Sequence, residues 1–88
     1  MNKAKYLCTL KGKGEKRLYQ LTPPLNGHDH VVVSAVDVSW PLGNGPETYI
    51  FAATEFGEIT NYMDLPGSFR GALDHERALK NAGYEIEE

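Results

Sequence analysis

The sequence predicts an α+β fold, an antiparallel sheet of four or five short strands with one C-terminal helix packed on it. Three features carry that prediction. Short strand-length runs fill residues 4 to 62, alternating with a period of two in residues 4 to 10 and apolar on both faces at the start of 30 to 40 and in 48 to 54. Glycine, proline and asparagine fall between the apolar runs as turn punctuation and nowhere accumulate into a linker. Helical spacing emerges only beyond Ser68. The 88 residues contain no repeat, heptad run or low-complexity tract and make a single domain, 1–88. A chain of this size buries roughly 60 to 65% of its unfolded surface, enough for one core and too little for two.

The elements follow in order. Residues 4 to 10 (AKYLCTL) place Tyr6, Cys8 and Leu10 on one side and Lys5, Leu7 and Thr9 on the other, a half-buried strand in which Cys8 is a small buried hydrophobe. "KGKGEK" turns the chain, and residues 17 to 22 (RLYQLT) return as the second arm of a hairpin. Pro23 and Pro24 lack amide donors and are expected to end it. From His30 to Trp40, Val32, Val36, Val38 and Trp40 oppose Val31, Val33 and Ala35, so this strand is central and needs cover on both faces. Residues 48 to 54 (TYIFAAT) behave alike. In "EFGE", Gly57 suits the left-handed position of a hairpin loop, and Glu58 to Tyr62 form the return strand.

In the C-terminal stretch, Ala72 and Leu73, His75 or Glu76, Leu79 and Ala82 recur at helical spacing, with Lys80 in the last turn and Gly83 at the C-terminal cap. Ser68 as N-cap gives a helix over 69 to 82, the preferred form, with Gly71 as a packing concession. Asp74, accepting from the amide of Glu76 or Arg77, gives the shorter alternative, 75 to 82. Tyr84 and Ile86 alternate with glutamates as a short final strand.

A formal charge of −3 argues against nucleic acid as the partner, and the cluster Lys3, Lys5, Lys11, Lys13, Lys16 and Arg17 reads as a solvated edge and turn. One cysteine excludes an intramolecular disulfide framework and fits a reducing compartment. No apolar run approaches the length of a membrane span, and Met1 to Leu10 is too short and polar for a signal-peptide core. The expected location is cytoplasmic, with no membrane partner.

Candidate chemistry is sparse. His28, Asp29 and His30 precede the most apolar run, and Asp74, His75 and Glu76 offer a third imidazole with two carboxylates. A zinc site would need three or four such ligands converging, and no spacing here matches a metal signature such as His-Glu-x-x-His. The reading adopted is that Asn26-Gly27 makes a turn and the histidines are its solvated exit. "KGKGEK" lacks the helix that a phosphate-cradling loop requires, and Ser34 and Ser39 lack a Gly-x-Ser-x-Gly frame. Glu47, Glu55 and Glu58 read as charge on a wet hairpin end. No catalytic, cofactor-binding or metal-binding residue is therefore assigned. Two connections are unusually apolar. "SWPLGNGPETY" carries Trp40 and Leu42, and "EITNYMDLPGSFRG" carries Tyr62, Met63, Phe69 and Arg70. Loops this apolar either fold back as lids on the core, as a small domain's need for its aromatics favours, or expose anchors for a partner. On the second reading these six are the candidate partner-binding residues, because aromatic residues, methionine and arginine are the types enriched at interfaces.

"VVVSAV", "GPETYIFAATEFGEIT" and "LPGSFRGALDHERALKNAGY" together resemble small uncharacterised proteins of actinobacteriophages of the mycobacteriophage type. The shared pattern is a Gly-Pro-Glu-Thr strand, a Gly-Glu hairpin and an Asp-His-x-x-Ala-Leu-x-x-Ala-Gly-Tyr helix, covering residues 31 to 84. The resemblance implies expression inside an infected bacterium and brings no catalytic residues. The expected function is that of a non-enzymatic accessory protein that binds an unidentified host or phage protein. The alternatives are a virion-associated structural or capsid decoration protein and a metal-dependent hydrolase built from the histidine clusters. A homodimer is expected as well, because one helix covers only one face of a sheet that is apolar on both.

Overall fold

The computed structural model describes residues 2–10, 15–37, 45–61 and 65–87. The elements are β1 (Lys3–Leu10), β2 (Glu15–Leu25), β3 (His28–Asp37), β4 (Pro46–Ala53), β5 (Ile59–Asn61), β6 (Phe69–Arg70), α1 (His75–Asn81) and β7 (Glu85–Glu87). They build one sheet in the order β5-β4-β3-β2-β1-β7, with β6 pairing the same strand edge of β4 as β5 does, further along. The fold class holds, with seven strands where four or five were expected. The sheet is also mixed: β7 runs parallel to β1, with Lys3, Ala4 and Lys5 opposite Glu85, Ile86 and Glu87.

Strand β3 is central, as its double apolar pattern requires. Val31, Val32 and Val33 have no exposed surface. One face, formed by Ala4, Tyr19, Leu21, Val31, Val33 and Ile50, packs against Ala78 and Leu79 of α1 and against Tyr84. The opposite face carries Leu18 and Val32, 3% and 0% exposed.

Strand β2 runs through both prolines, contrary to expectation. The β1 ladder stops at Thr22, and the β3 ladder passes from Gln20 opposite His30 to Leu25 opposite His28. The missing amides of Pro23 and Pro24 therefore fall where no neighbouring strand asks for them. The Thr22–Pro23 peptide bond is cis.

The helix takes the shorter of its two predicted forms. Phe69 and Arg70 pair with Thr48 and Glu47 of β4, the Gly71 amide donates to the Pro46 carbonyl at 2.8 Å, and Gly71 has φ +106, so residues 69 to 71 belong to the sheet edge. Asp74 is the N-cap, accepting from the Arg77 amide at 3.0 Å. Ser68 caps nothing: its hydroxyl accepts from the Ile50 amide and donates to the Leu65 carbonyl, both at 2.9 Å. Together with the Leu65 amide on the Ile50 carbonyl, it replaces ladder bonds on the stretch of β4 between β5 and β6.

Candidate protein-binding site

Among the described residues, strand β1 differs from the other long strands in having half of one edge open. Its inner edge pairs with β2 along its length, whereas β7 covers only Lys3 to Lys5 of the outer edge. Among the described residues nothing pairs with the outer edge from Tyr6 to Leu10. A bulge between Tyr6 and Cys8 displaces Leu7 from the ladder and bends the strand. That bulge corrects the expected alternation: Cys8 is exposed rather than a buried hydrophobe, because the extra residue shifts the second half of the strand onto a different register. Leu10, at the end of β1, reaches the turn between β4 and β5, where a Cβ on Gly57 would lie 2.9 Å from Leu10 Cδ2. A flat sheet would hold those strands roughly 14 Å apart, so the sheet curls toward its second face. Four large hydrophobic residues are strongly exposed among the described residues, and three of them lie along or at the end of this half-strand. They are Tyr6, Leu7 and, in the turn touched by Leu10, Phe56, which is 79% exposed.

Beside this edge, on the helix face, lies an open cleft of about 330 Å³. Strand β1 contributes Tyr6 and Thr9, β2 contributes Arg17 and Tyr19, α1 contributes Glu76 and β7 contributes Ile86. The Tyr6 and Tyr19 rings meet edge to face with centroids 5.8 Å apart, and the Tyr6 hydroxyl shares a 2.6 Å hydrogen bond with Thr9 Oγ1. Burial raises the Tyr19 phenol above its ordinary pKa, against the lowering effect of Arg17. The Arg17 guanidinium is held above its ordinary value first by Tyr19, with the paired Glu15 carboxylate adding to it. Two aromatic faces and Ile86 offer apolar contact, with hydroxyls, one cation and one carboxylate at the rim, a lining suited to receiving a side chain.

The residues singled out from sequence are distributed differently. Trp40, Leu42, Tyr62 and Met63 lie outside the described residues. Phe69 is half-buried against the core with the Arg77 guanidinium 4.9 Å over its ring. Arg70 is exposed on the opposite face, its Nε 3.0 Å from Glu47. Glu47 is 4% exposed, not on a wet hairpin end. Besides Arg70, the Tyr49 hydroxyl donates to its carboxylate, which raises the Tyr49 pKa. Glu55 and Glu58 are exposed, as expected of a turn.

The two histidine clusters are not brought together. His75 is buried, and its Nε2 lies 2.8 Å from the carbonyl of Glu15, which pairs with Ala35. His28 begins the same β3 strand, so the sites are separated by the span from His28 to Ala35, roughly 23 Å of strand. His30 Nδ1 lies 3.0 Å from Asp29, and His28 is exposed. No group of three or more histidine, cysteine, aspartate or glutamate side chains among the described residues is placed to hold a metal. No helix among them is long and apolar enough to cross a membrane.

Sequence reasoning missed the open edge. The one local signal was Phe56, a large apolar residue at the tip of a hairpin turn, where solvent exposure normally selects polar residues. Comparison of the chain with protein-family models, with curated proteins and with solved structures finds no match.

Proposed function

We propose that the protein is a non-enzymatic protein-binding module that holds an extended segment of its partner along the open half of β1. The observation that supports this most directly is the coincidence of a strand edge left unpaired among the described residues, exposed Tyr6, Leu7 and Phe56, and an adjoining cleft. In strand addition, main-chain hydrogen bonds to an edge supply affinity, and pockets beside it select alternate side chains. The backbone alternation that aims the Asn2 carbonyl at the Glu85 amide, 3.0 Å away, turns Ala4 and then Tyr6 toward the same outer side. The resemblance to actinobacteriophage proteins gives the setting, an accessory protein modulating a host or phage protein in the cytoplasm of an infected cell.

Selection from an unbiased peptide library, followed by mapping of the binders through backbone amide shifts, tests the reading. Binders that perturb Tyr6 to Leu10 and the cleft residues are expected. Failure to select any binder, or binders that map instead to β6 around Phe69 and Arg70, would contradict it.

A further inference from the structure

We infer that the segment held along β1 is acidic and strand-forming, with glutamate or aspartate alternating with aliphatic residues, an inference that rests on the strand-addition reading above. The chain itself contains one example of what this edge accepts. Against Lys3-Ala4-Lys5 lies Glu85-Ile86-Glu87 in parallel register, each carboxylate residue opposite a lysine and Ile86 opposite Ala4. Lys3 Nζ is 2.8 Å from Glu85 Oε2 and holds that carboxyl below its ordinary pKa. Ile86 turns to the helix face, packs against the core and walls the cleft.

Beyond the bulge, the lysine face of the open half carries Cys8 and Leu10 on β1 itself, with Lys16 of β2 behind Leu10, while Lys5 ends the covered half opposite Glu87. On the helix face, Tyr6 and Tyr19 floor the cleft. A segment with carboxylates on one side and aliphatic groups on the other would extend the line of Glu85 and Glu87, reach an acid across Leu10 toward Lys16, and place an aliphatic side chain in the cleft, as β7 does one step earlier. The net charge of −3 gives no hint of this, because six of the nine basic residues fall within the first 17 positions of the chain. A second copy fits poorly. Antiparallel pairing of two β1 edges would bring Lys5 of each chain toward the Lys16 end of the other, and the bulge at Leu7 interrupts the register.

The test compares three short peptides in which isoleucine alternates with glutamate, serine or lysine. Binding to the intact protein is measured at low and at high salt, with amide shifts locating each peptide. The glutamate peptide is expected to bind at Tyr6 to Leu10 about tenfold or more tighter than the serine peptide and to lose that advantage in salt. Lys16→Glu, and separately Lys5→Glu, should shift preference toward the lysine peptide, with far-UV circular dichroism confirming that each variant is folded. Equal binding of all three peptides, or a preference unmoved in both folded variants, overturns the acidic assignment. It also falls if library selection yields neutral or basic binders on this edge, an outcome that leaves the strand-addition reading standing. Self-association that blocks every peptide makes a second copy the occupant and overturns the assignment too.

Discussion

Thr48 has no exposed surface, yet it is polar, and its hydroxyl explains its place. Oγ1 donates to the Ala72 carbonyl at 2.8 Å and accepts from the Asp74 amide at 3.1 Å, tying the segment before the helix to β4. Gly67 has a comparable steric role. It adopts φ +108, and a Cβ there would lie 2.4 Å from the Ala78 carbonyl oxygen and 2.9 Å from Ile50 Cδ1, so the turn packs directly beneath the helix. Gly67→Ala therefore combines an unfavourable backbone conformation with overpacking and should cost on the order of 2 to 4 kcal/mol, read as a lowered denaturant midpoint at unchanged slope. An unchanged midpoint would mean that the turn and the helix are not in contact. Neither role was legible from sequence. A threonine in a β-rich run looks like any strand residue, and "LPG" reads as a turn without revealing what lies beneath it.

The seven residues of α1 are too few to be stable as an isolated helix. Its stability comes from the Asp74 cap, from Gly83 in the left-handed conformation just beyond Ala82, and from Leu79, which is fully buried. Leu79→Ala should cost on the order of 2 to 5 kcal/mol, since it removes a buried side chain and leaves a cavity between helix and sheet. Chemical denaturation followed by circular dichroism measures it, and a loss below about 0.5 kcal/mol would place the helix elsewhere. The element pattern was largely legible. The two glycine turns after residues 25 and 56, the Asp74 cap, the burial of Leu79 and the final strand at Ile86 all follow from local chemistry. The longer helix failed because helical spacing alone does not reveal that Phe69 and Arg70 are held by β4. The continuation of β2 through Pro23 and Pro24 was hidden similarly, because a proline ends a strand only where a neighbour needs its amide.

For the whole molecule, curling of the sheet alters the reasoning about association. Dimerisation was expected from an apolar second face, but Val32 and Leu18 at its centre are already buried within one chain. Of the four large hydrophobic residues exposed among the described residues, Tyr6 and Leu7 lie on β1 and Phe56 in the turn that Leu10 reaches. Strand alternation predicts which face a residue occupies, but curl and bulge decide whether that face is closed, and both depend on contacts between distant residues such as Leu10 and Gly57.

The buried tyrosines give a property of the whole fold. Burial raises the phenol pKa of both Tyr19 and Tyr84 above the ordinary value near 10, and the Tyr84 hydroxyl donates to the Pro23 carbonyl at 2.5 Å. A raised pKa means that the unfolded chain releases these protons first. Their contribution to stability is complete below about pH 10 and is lost as pH rises through the folded values. Alkaline titration should show tyrosine ionisation by ultraviolet absorbance that is coupled to unfolding for these two residues. Replacing Tyr84 with phenylalanine should flatten the alkaline fall in stability, and an unaltered fall would argue against the shift.

The central claim is that β1 presents an open edge while the sheet behind it is closed. Native-state hydrogen exchange measures this directly, residue by residue. Outward-facing amides between Tyr6 and Leu10 should exchange quickly in the free protein and become protected when an extended peptide binds, while Val31 to Val33 exchange only through global unfolding. Protection across Tyr6 to Leu10 equal to that of Val31 to Val33 in the free protein would contradict the account, because the edge would then already be paired.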